Sequence, residues 1–338
     1  MRGADPAREG GHGARARRGR SALRVAVAPE ERAPVGREDA ALEASMWRLL
    51  ELGGVRPASR RVAVGGLDLH YLEVGEGEPL ALIQGAGGGA ANWFRIMGAL
   101  SRGRRVLALD LPGFGLSAPV WPVAPLGRLI AEIVVAWLDA IGVRRCDVVG
   151  TSFGGLVALR MAQRRGGPVR RLVLLDSAGL GRELPLVVRL ASVPGVGPWL
   201  LRPGRAGTRW VFRNLMTTKR SGIGPVVEEA LVEYLWRSDL AANRGVVAEA
   251  YRLFCDIRGQ REVLRDAELS ALEVSTLVAW GENDRLLPPR HGRRAAERIP
   301  GAIFREIRGV GHSPNWEAPD AVVEVVESFL AGATPDLS

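Results

Sequence analysis

The segment Val148-Val149-Gly150-Thr151-Ser152-Phe153-Gly154-Gly155 constrains this chain more than any other. A β-branched run enters it and Leu156-Val157-Ala158-Leu159 leaves it, so it reads as a strand, a sharp turn and a helix. The turn forces Ser152 into strained backbone angles, and the flanking chain passes close behind it, where a Cβ would collide. Such a turn presents the serine hydroxyl at the start of a helix. The free N–H groups and positive dipole end of that helix favour a developing anion.

A serine hydroxyl is a poor nucleophile alone, so the segment gains meaning only if an acid and a base follow in the order Ser, Asp, His. The apolar run Thr276-Leu277-Val278-Ala279-Trp280 reads as a buried strand and ends in Gly281-Glu282-Asn283-Asp284, which puts Asp284 in a loop at a strand's carboxyl end. The strand-like Ile303 to Ile307 runs into Gly309-Val310-Gly311-His312. The chain has 4 histidines. His12 lies in an Arg/Gly-rich tail, His70 alternates within a strand pattern and His291 opens a charged helix, which leaves His312 as the base.

These residues resemble the α/β-hydrolase superfamily, from about Val62 to Leu330. Besides the serine turn, Asp110-Leu111-Pro112-Gly113-Phe114-Gly115-Leu116-Ser117 is similar to the family's turn after the fourth strand, and Gly311-His312 followed by Glu317-Ala318-Pro319 to its histidine loop and last helix. The resemblance implies a serine hydrolase with Ser152, Asp284 and His312 as catalytic residues, and an oxyanion hole made by the backbone N–H groups of Ala86 and Phe153. One motif departs from the family: Gln84-Gly85 stands where His-Gly is usual, and Gln84 can still donate and accept hydrogen bonds. Asp176, at the end of the strand-like Arg171 to Leu175, is a rival for the acid, because some members carry it after the sixth strand. Asp110 reads as a turn residue and Glu282 as solvated. Dehalogenases and epoxide hydrolases of this fold need aspartate at position 152, so serine there argues against their chemistry.

In these roles His312 takes the Ser152 proton and Asp284 fixes the imidazole tautomer. No cofactor or metal is expected. Cys146 and Cys255 sit singly, without a ligand cluster or CxxC, and read as buried thiols.

A length of 338 residues with 47% hydrophobic content allows one large domain with an insertion. The net charge of +9 is concentrated in residues 1–37, where nine arginines face Asp5, Glu9, Glu30 and Glu31, and the remainder is too mild for a nucleic-acid groove. Residues 1–45 read as a disordered basic tail without a secretory signal. No membrane span is expected, since Leu184 to Leu201 is broken by Arg189 and three prolines. With two cysteines that show no pairing pattern, the expectation is a cytoplasmic monomer or homodimer whose partner is a small-molecule substrate.

Alternating patterns predict an α/β fold: a mostly parallel, twisted eight-stranded sheet with helices on both faces. Strands are expected near 61–64, 68–74, 80–84, 105–109, 146–150, 171–175, 276–280 and 303–307. Helices are expected over 90–100, 126–141, 154–165, 290–299 and 320–330. The core is assigned to 46–180 and 270–338, and the helical stretch 181–269 to the family's cap. Trp199, Trp210, Phe212, Met216, Tyr234, Trp236, Tyr251 and Phe254 predict an apolar or aromatic pocket beneath it, and Arg202, Arg209 and Arg213 are candidates for a substrate carboxylate.

The reading that follows is a serine hydrolase of a carboxylic ester or related acyl compound. Asn92-Trp93, the Ser177 to Gly181 turn and Trp316-Glu317 are similar to the carbon–carbon bond hydrolases of aromatic degradation, which is the alternative activity. Acyl transfer and a non-catalytic small-molecule receptor are the others, since a fold does not decide function.

Overall fold

The computed structural model describes residues 37–200, 204–219, 221–242 and 244–332. Its sheet is built from β1 (Ala58–Val64), β2 (Leu67–Val74), β3 (Glu78–Ile83), β4 (Arg104–Leu109), β5 (Cys146–Thr151) and β6 (Val169–Leu175), followed after a small β7-β8 hairpin (Cys255–Asp256, Gly259–Gln260) by β9 (Ser275–Gly281) and β10 (Ile303–Ile307). Successive strand side chains point to opposite faces. Thus Leu80, Leu82, Val106 and Ala108 enter one hydrophobic cluster, and Ala81, Ile83, Leu107 and Leu109 the other. A sheet that is apolar on both faces has to be covered on both.

The strand order is β1-β2-β4-β3-β5-β6-β9-β10, antiparallel from β1 through β2 to β4 and parallel from there on. This is the expected sheet, with every expected strand in place. All the parallel strands therefore end on one edge, where a doubly wound sheet keeps its ligand sites.

One face is covered by α3 (Leu126–Ala140), α4 (Phe153–Ala162) and α11 (Arg290–Arg298). The stripe Ile130, Ile133, Val134, Trp137 and Leu138 is the buried face of α3, as its helical spacing predicts. The other face is covered by α1 (Arg37–Leu52), α2 (Met97–Leu100) and α13 (Pro319–Leu330), with α12 (Pro314–Glu317) before the last. Between β6 and β9 come α5 (Leu186–Leu190), α6 (Gly197–Leu200), α7 (Arg205–Val211), α8 (Pro225–Ala241), α9 (Arg244–Phe254) and α10 (Asp266–Ser270). The root of this insertion is pinned by Gln260, whose Oε1 accepts the Gly179 N–H at 2.8 Å and whose Nε2 donates to Gly181 at 2.6 Å. No helix among the described residues is long and apolar enough to cross a membrane.

Two expectations change. The basic tail, expected over 1–45, gives way to helix at Arg37, because Leu42, Met46, Leu49 and Leu50 make an apolar stripe that packs with α8. Residues 1–36 lie outside the described residues. The helix expected over 90–100 is instead a tight 3-10 turn, Ala90–Trp93, and the separate α2. Asn92 is the reason, since its carbonyl accepts hydrogen bonds from Asn315 Nδ2 at 3.0 Å and Trp316 Nε1 at 2.8 Å rather than from a helical amide.

Leu42 is fully buried inside the segment where a tail was expected. Leu42→Ala is expected to cost about 2–5 kcal/mol, measured as a lower urea midpoint with an unchanged slope. An unchanged midpoint would show that α1 does not dock.

Candidate active site

Ser152 closes the turn between β5 and α4 with φ 52° and ψ −123°. It and Asp176, at φ 46°, are the only non-glycine residues with positive φ among the described residues. Such conformations cost on the order of 1–3 kcal/mol and persist where surroundings over-determine them. Here the Ser152 N–H donates to Leu175 at 3.0 Å, and its carbonyl accepts from Gly155 and Ala178, each at 2.9 Å. Gly154 lies so close to the carbonyl oxygens of Ile83 and Gln84 that a Cβ there would strike both.

His312 follows β10 and Asp284 follows β9. The His312 Nε2 is 3.0 Å from Ser152 Oγ, and its Nδ1 is 2.8 Å from Asp284 Oδ2. The second oxygen of Asp284 accepts the Leu286 and Leu287 N–H groups at 2.7 and 2.9 Å. These bonds hold one carboxylate oxygen to its own loop and leave the other for the imidazole. The two loops are laced together by the Glu282 N–H to Ile307 at 3.0 Å and the Asn283 N–H to Val310 at 2.9 Å. Glu282 is exposed, as expected.

Asp176, the rival acid, is not hydrogen-bonded to His312. It is buried beside Asp284, one oxygen accepting the Gly281 N–H at 2.9 Å and the other without a donor among the described residues. Burial, and then the charge of Asp284, pushes its carboxyl well above the usual carboxylate range. Asp176, Asp284 and His312 bring oxygen and nitrogen atoms within 4.8 Å of one another, close enough to hold a cation, although both His312 nitrogens are already hydrogen-bonded within the Ser152–Asp284 chain.

The glycine loop after β3 runs along the serine, with the position of a Gly85 Cβ 2.9 Å from the Ser152 Cβ. Ala86 is exposed there, whereas Phe153 is buried. Gln84 is fully buried, yet its side-chain amide finds no partner among the described residues. The loop is braced from elsewhere. Asp110 accepts the Ala90 N–H at 2.5 Å and the Leu116 N–H at 2.8 Å, and pairs with His70 Nδ1 at 2.6 Å, whose Nε2 meets Ser59 Oγ at 2.9 Å. Asp110 is thus a buried organiser of two loops rather than a simple turn residue.

From above, Ser238 on α8 donates to the Gly88 carbonyl at 2.9 Å, and Tyr234 packs its buried hydroxyl against Gly89. Burial, and then the Asp110 charge, pushes the Tyr234 phenol well above its ordinary range. The histidine loop is braced by Glu317, which accepts the Gly311 and Thr218 N–H groups at 2.8 and 2.7 Å. Sequence reasoning gave Tyr234 only a share in an aromatic pocket and Ser238 no role, because nothing in a helix of the insertion signals which loop it will meet.

The aromatic residues of the insertion divide. Phe212 and Tyr234 are buried, and Phe212 stacks on Trp316. Trp199 and Trp210 are 67% and 49% exposed, so they do not line an enclosed pocket. Phe254 meets Phe153 edge to face at 5.9 Å, with Tyr251 near it in the same half-buried layer. Arg209 and Arg213 are engaged with Glu229 and Glu228 rather than turned to a substrate, and Arg202 lies outside the described residues. Cys146 and Cys255 are buried, and burial pushes their thiols up to about 12 and about 11.

Ser238→Ala removes a hydrogen bond to the glycine loop, worth about 1 kcal/mol. The expected result is labelling of Ser152 by a fluorophosphonate about fivefold slower, measured by intact mass, with Ser238→Thr restoring the rate. An unchanged rate would show that the loop holds its shape without α8.

A sequence model described as the Alpha/beta hydrolase family matches residues 80–325. The 2-hydroxymuconate semialdehyde hydrolase of Pseudomonas sp. (strain CF600) is 30% identical over 282 residues, spanning 81% of this chain and 94% of that one. Among solved structures, a meta-cleavage product hydrolase from Pseudomonas fluorescens superposes with a TM-score of 0.69 at 25% identity, covering 81% of this chain and 98% of that one. A bacterial membrane phospholipase A superposes with a TM-score of 0.70 at 26% identity, covering 87% and 92% of the two chains.

Proposed function

The chain belongs to the α/β-hydrolase family, and on that footing we propose that it is a serine hydrolase attacking the carbonyl of an apolar or aromatic small molecule. The observation that carries this reading is the unbroken chain from Ser152 Oγ through His312 to Asp284, at 3.0 and 2.8 Å. His312 accepts the serine proton as Oγ adds to the carbonyl carbon, and Asp284 stabilises the imidazolium. The Ala86 and Phe153 N–H groups receive the developing oxyanion, at about 3 kcal/mol per donor in comparable sites. His312 then protonates the leaving group, and water attacks the acyl-enzyme by the same route in reverse.

The first substrate class is a carboxylic ester, whose alkoxide leaves with the proton from His312. Phe153, next to the serine in the chain, and Phe254, packed edge to face on it, supply an apolar surface for the acyl or aryl part. The helices between β6 and β9 act on this reading as a cap.

Cleavage of a carbon–carbon bond next to a ketone is a second reading, favoured by one observation: the 30% identity to a 2-hydroxymuconate semialdehyde hydrolase across nearly its whole length. Asn92, Trp93 and Trp316 do not add to it, because all are buried and the backbone carbonyl of Asn92 is tied to Trp316.

The test is intact-mass spectrometry after exposure to a fluorophosphonate, comparing the wild type with Ser152→Ala and His312→Ala. One adduct on the wild type, absent from both variants, is the expected result. Full labelling of Ser152→Ala, or saturable binding of ligands with no adduct and no turnover, would overturn the reading. Turnover of a short-chain aryl ester at least tenfold faster than 2-hydroxymuconate semialdehyde is expected, and the reverse order would establish carbon–carbon cleavage.

A further inference from the structure

Two buried aspartates meet at the carboxyl edge of the sheet, and only one of them is needed to orient His312. Asp284 follows β9, while Asp176 follows β6, the neighbouring strand. Asp176 is fully buried and held at φ 46°, a conformation that carries a steric cost even for aspartate. Its Oδ1 accepts the Gly281 N–H of β9 at 2.9 Å. Its Oδ2 has no donor among the described residues, and a carboxyl oxygen of Asp176 lies within 4.8 Å of one of Asp284. Two ionised carboxylates cannot share a hydrogen bond, since both are acceptors, and in a buried site their repulsion leaves one of them protonated.

The proton belongs on Asp176. Asp284 has every reason to be ionised: Oδ1 accepts two N–H groups, from Leu286 and Leu287, and Oδ2 faces the His312 Nδ1 at 2.8 Å. Asp176 has one N–H donor and an otherwise unpartnered oxygen. The other charged group acting on Asp176 is Glu317 on α12, whose carboxylate accepts the Gly311 and Thr218 N–H groups at 2.8 and 2.7 Å. Its negative charge also favours a neutral Asp176. His291 on α11 senses Asp284 only through its charge and pairs with Glu183.

We propose that Asp176 carries a proton at neutral pH and donates it to Asp284 in a hydrogen bond, which makes it a positioning residue that weakens the hold of Asp284 on the His312 proton. This rests on the reading of Ser152, Asp284 and His312 as the catalytic chain. The proton passes to neither partner during turnover. It draws electron density from Asp284, so that the imidazolium is stabilised less and His312 stays neutral, and able to act as a base, at lower pH.

The direction of the effect distinguishes the protonation states. Asparagine at 176 keeps the shape, keeps a donor for Asp284 and leaves the charge unchanged if Asp176 is neutral. Alanine removes the donor, leaves Asp284 a stronger acceptor and moves the acid limb of kcat/KM to higher pH.

The experiment is the pH profile of kcat/KM for a short-chain aryl ester with the wild type, Asp176→Asn and Asp176→Ala, together with the downfield proton resonance of the His312 Nδ1–H in each. The expected result is an Asn profile that superimposes on the wild type. For Ala, kcat/KM on the acid limb, as a fraction of its own plateau, is expected to be about tenfold lower than that of the wild type at the same pH, with the His312 resonance moved farther downfield. An acid limb in Asp176→Asn displaced to lower pH would show that Asp176 is ionised in the native protein and overturn the proposal. So would an Ala profile and resonance identical to the wild type. Failure of the catalytic reading is separate, because it would show as a wild type without ester turnover or adduct, while the resonance would still report the Asp176 contact.

Discussion

The close approach of the turn after β5 to the end of β3 is the constraint on which the rest of the site depends. Gly154 sits against the carbonyl oxygens of Ile83 and Gln84, so the first turn of α4 and the glycine loop are held face to face. Nothing larger than hydrogen fits there. That contact puts Ser152 beside Gly85. Parallel strands do the remainder, because β5, β6, β9 and β10 all deliver their carboxyl ends to the same edge. Four strand-terminal loops then place a hydroxyl, an imidazole and two carboxyls within reach of one another.

Around this edge the loops are cross-braced, and the braces come from different parts of the chain. Asp110 gathers the glycine loop and the turn after β4, and Asn92 joins the glycine loop to the histidine loop through Asn315 and Trp316. Glu317 joins the histidine loop to Thr218 of the insertion. Ser238 and Tyr234 of α8 complete the frame from above. With the Gln84 side chain unpartnered, support that a residue at the base of the loop could give is supplied by the insertion. Movement of α8 would therefore be felt at the glycine loop.

The buried acids show why chemical type alone does not assign a role. Asp110, Asp176 and Asp284 are all buried at or near the carboxyl edge. Asp110 is spent on two amides and a histidine that is not His312. Asp284 meets His312, and Asp176 lies beside Asp284. Each follows a strand and each looked eligible in one dimension. Hydrogen-bond partners separate them, and those partners come from loops distant in sequence.

Much of this protein was legible in its sequence because the relevant signals are local. Short apolar runs mark the parallel strands of the main sheet, the 3.6-residue stripe marks α3, and Gly-x-Ser-x-Gly between a strand and a helix marks the turn at Ser152. His312 could be reached by elimination among four histidines. Other features were decided only by tertiary structure. The stripe Leu42, Met46, Leu49 and Leu50 was readable, but the neighbouring arginines masked it until packing on α8 gave it a reason. The aromatic residues of the insertion had equal claims on a pocket, and the fold left Trp199 and Trp210 outside it. A side chain's periodicity states which face it occupies, which sequence alone determines. What that face meets depends on how distant segments pack, and that settled the brace on the glycine loop and the place of Asp176 beside Asp284.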